Sequence, residues 1–200
     1  MQLADPLTYA QPTFDQALAD FATARFLRDN RIDAAPYNGN PAFDAAVAKL
    51  QQCAEKALKA TILVLAPGES GLVFSPHDLF SDRGGLPSDR RFQDVIERIG
   101  RDFGGQSLRA ILTELQGCAP AGVRKAVFDS DGNVVALPLN TEYPSRDEGE
   151  MPVAPVYAWR SRERDVARYE RAVTNLLRHL KGIGRVSSYL ADYSGRAIER

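Results

Sequence analysis

Between Asn40 and Leu58 the apolar side chains Phe43, Val47, Leu50, Ala54 and Leu58 recur at every third or fourth position. A helix gathers that spacing onto one face, because its residues advance about 100° each. Asn40-Pro41 supplies the start, with Asn as cap and Pro at the first helical position, where a missing N–H costs nothing. The same period recurs before and after. Thr13 and Gln16 form a reciprocal cap after Pro12, and Phe14, Leu18, Phe21 and Leu27 give a helix over roughly 13–30 its buried stripe. Ser88 caps a third helix, with Phe92, Val95, Ile96, Ile99 and Phe103 facing the core and Gly104-Gly105 ending it. Ser107 opens a short fourth one that buries Leu108, Ile111, Leu112 and Leu115 before Gly117.

Other stretches point to strands. Thr61-Ile62-Leu63-Val64-Leu65 is compatible with a last helical turn or with a buried strand. The turn chemistry of Pro67-Gly68-Glu69-Ser70-Gly71, with Leu72-Val73-Phe74 beyond it, favours a strand that pairs back. Val123 to Leu139 predicts a second hairpin, Lys125–Phe128 against Asn133–Leu137. Its turn is Asp129-Ser130-Asp131-Gly132, where Gly accepts a positive φ without steric cost. Ser75 to Arg91 is expected as a polar loop, and residues 140–155, with Glu142, Asp147, Glu148 and Glu150 against Arg146, as a mobile acidic one. The expectation is an α+β fold, about five helices packed with a small antiparallel sheet of β-hairpins, in a single globular domain over residues 1–200.

The class exclusions are short. The longest apolar run, Ile62 to Ala66, is far below the ~20 residues a membrane span needs. Met1–Gln11 carries no Lys or Arg and no apolar stretch, so no secretory leader is expected. Cys53 and Cys118 stand without CxxC or Cys/His spacing, which predicts two small apolar thiols in a reducing compartment and a cytoplasmic protein. No metal or cofactor motif is complete, so neither is predicted.

Charge is distributed unevenly. Residues 1–158 hold 15 Lys/Arg against 21 Asp/Glu, whereas residues 159–200 hold 10 against 5. The excess lies on a long basic amphipathic helix expected over 159–185. At 100° per residue Arg164, Arg168, Arg171, Arg178 and Arg185 share one face, opposite Val166, Tyr169, Val173, Leu176, Leu177 and Leu180. The apolar stripe must pack inward, so the arginines are expected to point outward together. Just upstream, Tyr157-Ala158-Trp159-Arg160-Ser161-Arg162 interleaves rings with guanidinium groups. Arg pairs bidentately with phosphate and stacks on rings, a combination suited to nucleic acid. Trp159, Arg160 and the five arginines are therefore the candidate binding residues. Nucleic acid or an acidic protein surface is the expected partner. A plain solvated face, with Glu163, Asp165 and Glu170 as local partners, or an oligomer contact of a structural subunit, fits the same pattern.

Candidate chemistry is sparse, and no catalytic residue is predicted. Lys125-Ala126-Val127-Phe128-Asp129-Ser130-Asp131-Gly132 resembles the first motif of haloacid-dehalogenase-type phosphatases. That resemblance implies Asp129 as nucleophile and Asp131 as general acid, with Mg²⁺ offsetting their charge. It covers about eight residues, and the family's later lysine and acidic motifs do not follow. His77-Asp78 is a possible base with an orienting carboxylate, but no activated Ser or Cys is paired to it. His179 sits where a helix C-terminus favours a cation, and Gly182-Ile183-Gly184 reads as a helix cap. The leading expectation is a non-catalytic accessory or adaptor module. The alternative is a small metal-dependent hydrolase or phosphotransfer enzyme using Asp129/Asp131 or His77/Asp78.

Overall fold

The computed structural model describes residues 5–30, 41–73, 90–117, 127–128, 134–135 and 163–190. The first described element is a 3-10 turn at Pro6–Tyr9, where the Asp5 carboxylate accepts from the Leu7 N–H at 3.1 Å. The turn runs straight into α1 (Ala10–Asp29). Thr13 therefore sits inside the helix, donating its hydroxyl to the Tyr9 carbonyl at 2.7 Å rather than capping. Pro12 is tolerated because the first turn's N–H groups have no helical acceptor.

Helix α2 (Pro41–Leu65) is the hub: α1 lies along it, and the later helices pack around it. Its stripe Phe43, Val47, Leu50, Ala54 and Leu58 is buried as its spacing predicts. In its last two turns Ala60, Thr61, Ile62, Leu63 and Val64 are all buried in succession. A helix enclosed on every side shows no period. The hairpin expected over 61–74 is thus overturned. Residues 61–65 are helix, Ala66 leaves helical geometry (φ −138°), and Pro67–Glu69 forms a 3-10 turn leading into a four-residue helix, α3 (Ser70–Val73).

The next expected boundary also shifts. Helix α4 (Arg90–Ile99) passes through a π-helical turn at Gly100–Gly104 directly into α5 (Gly105–Gly117). The glycine pair does not end a helix. Val95, Ile96 and Ile99 are buried, but Phe103 is 44% exposed. A π turn holds more residues than an α turn. A side chain four past Ile99 therefore falls short of the buried stripe. Leu108, Leu112 and Leu115 of α5 return to the core.

Helix α6 (Glu163–Gly182) packs against α2 and α5. Ile183 is extended (φ −77°, ψ 106°), and α7 (Gly184–Tyr189) turns back onto α2 and α6.

The α+β expectation does not hold: the described body is a bundle of helices. Val127-Phe128 and Val134-Val135 form an antiparallel ladder two residues long, Val127 opposite Val135, and among the residues whose burial is described the core lies on helices and their flanking turns.

Candidate functional site: the arginine face

Helix α6 is built from its inner side. Val166, Tyr169, Ala172, Val173, Leu176, Leu177 and Leu180 are each at most 1% exposed, which fixes its rotation on the bundle. The opposite side is then dictated by the 3.6-residue turn. Arg164, Arg168, Arg171 and Arg178 are all exposed and lie within an arc of about 80°. Asn175, half-buried, falls inside the same arc. Together they step 4-3-4-3 along the helix and form a nearly straight stripe. From Arg164 to Arg178 the stripe measures about 21 Å at 1.5 Å per residue. Arg185 is exposed as well, but it stands on α7, beyond the break at Ile183, so it does not continue that line.

Glu170 falls outside the 80° arc at about 100° per residue. Glu170 is committed to α1: its side chain is 13% exposed, with Oε1 3.3 Å from Arg25 Nε and Oε2 held by Arg28. Arg25 in turn stacks over the Phe21 ring at 5.9 Å. Glu170 thus ties α6 to α1.

No match emerges. Comparisons with family models, with curated proteins and with solved structures find nothing similar to this chain. The site therefore rests on its own geometry.

Trp159 and Arg160, the upstream part of the expected site, lie outside the described residues, as do His77, Asp78, Asp129 and Asp131. Among the described residues no three His, Cys, Asp or Glu side chains are placed to hold a metal ion. Cys53 is fully buried, and that burial holds its thiol well above the usual range, so it packs as a small apolar group. Burial also pushes His179 below its ordinary value, and its Nε2 has no hydrogen-bond partner. Desolvation, rather than the helix dipole, governs its charge.

One polar cluster escapes sequence reasoning. Asp20 is buried on the apolar side of α1, with Lys49 Nζ 3.2 Å from Oδ1 and Lys56 bound to Oδ2. The available signal is an acid three residues from Ala17 and four from Ala24, within the stripe, facing two lysines seven apart on α2. Both lysines are partly exposed, at 36% and 30%, so the cluster joins the two helices at the rim of the core.

Proposed function

We propose that the protein is a non-catalytic accessory or adaptor module of the cytoplasm. It docks an anionic partner, nucleic acid or an acidic protein surface, on the arginine face of α6. The observation that carries this reading is the exposed stripe Arg164, Arg168, Arg171 and Arg178, set opposite a fully buried apolar stripe. The turning of Glu170 toward Arg25 and Arg28 supports it, since the nearest deep carboxylate is spent on the bundle. Like charges at i,i+3 and i,i+4 destabilise a helix by about 0.2–0.5 kcal/mol per pair. An anion bound along the stripe relieves that repulsion.

Retention on an immobilised anionic polymer at low salt tests the reading. The double variant Arg171→Glu/Arg178→Glu is expected to elute much earlier than the parent. Arg98→Glu/Arg101→Glu, the same change of net charge at exposed positions on α4 and the π turn, is expected to elute close to it. Equal losses in both would mean that net charge alone is being sensed, and the proposal would fall.

A further inference from the structure

We draw no further inference here: the strongest candidate, the outer face of α1 formed by the exposed Ala19, Ala22, Thr23 and Phe26, carries nothing because nothing in the structure shows what covers it.

Discussion

Cys53, Asp20 and His179 each show how burial decides what a side chain does. Cys53 is closed into the core and its thiol is held protonated. In a Cys118→Ser background a thiol reagent should label it slowly in native buffer and rapidly in denaturant; rapid native labelling would contradict the burial. Asp20 is buried between helices with Lys49 on one carboxylate oxygen and Lys56 on the other. Asp20→Ala removes the acceptor and leaves two cations near the core, but both retain access to water. The expected loss is about 1–2 kcal/mol by urea denaturation, below the 3–5 of a fully buried pair. His179 binds a proton less readily folded than unfolded. Its contribution to stability is complete above about pH 6.5, its unfolded value, and is lost as pH falls from there through the folded one. The parent's urea midpoint should therefore drop more between pH ~7.5 and ~5.5 than that of His179→Gln; equal drops would refute the assignment.

At the scale of elements, two helices depart from simple periodicity for opposite reasons. The end of α2 is apolar all round because other elements enclose it. Ile62→Ala there should cost about 2–5 kcal/mol, the range for a large aliphatic lost from a core. A strand on a small hairpin layer would feel less. The α4–α5 junction departs because the π turn rotates Phe103 out of the stripe. Phe103→Ser is accordingly expected within about 0.5 kcal/mol of the parent, as for other exposed sites. Thermal or chemical melts of the two variants make the contrast direct.

For the whole molecule, the decisive feature is how α6 meets the rest. Its inner side packs on α2 and α5, while Glu170 reaches across to Arg25 and Arg28 of α1. Glu170→Gln should loosen that tie by about 1 kcal/mol, as expected for a partly exposed charged hydrogen bond. It should leave the stripe's salt-dependent binding in place, because Glu170 lies outside the arc. A variant that lost binding along with stability would mean that the α1 contact, not the stripe, sustains the surface.

Local periodicity by itself determined much of this protein. The stripes of α1, α2, α4 and α5, the buried line of α6 and the outward arginines were all legible, because three-and-four spacing acts within a single helix. Fold class was not legible. Whether Thr61–Leu65 is helix or strand depends on what surrounds it, and a short apolar run carries no period of its own. The place of the first helix's start was lost to Asp5 and its 3-10 turn, and Phe103's exposure to an irregular turn that no spacing announces. At the candidate site the same division holds. Sequence placed five arginines on one face. Only tertiary structure broke that line before Arg185 and drew Glu170 away to α1, because both depend on contacts between segments far apart in the chain.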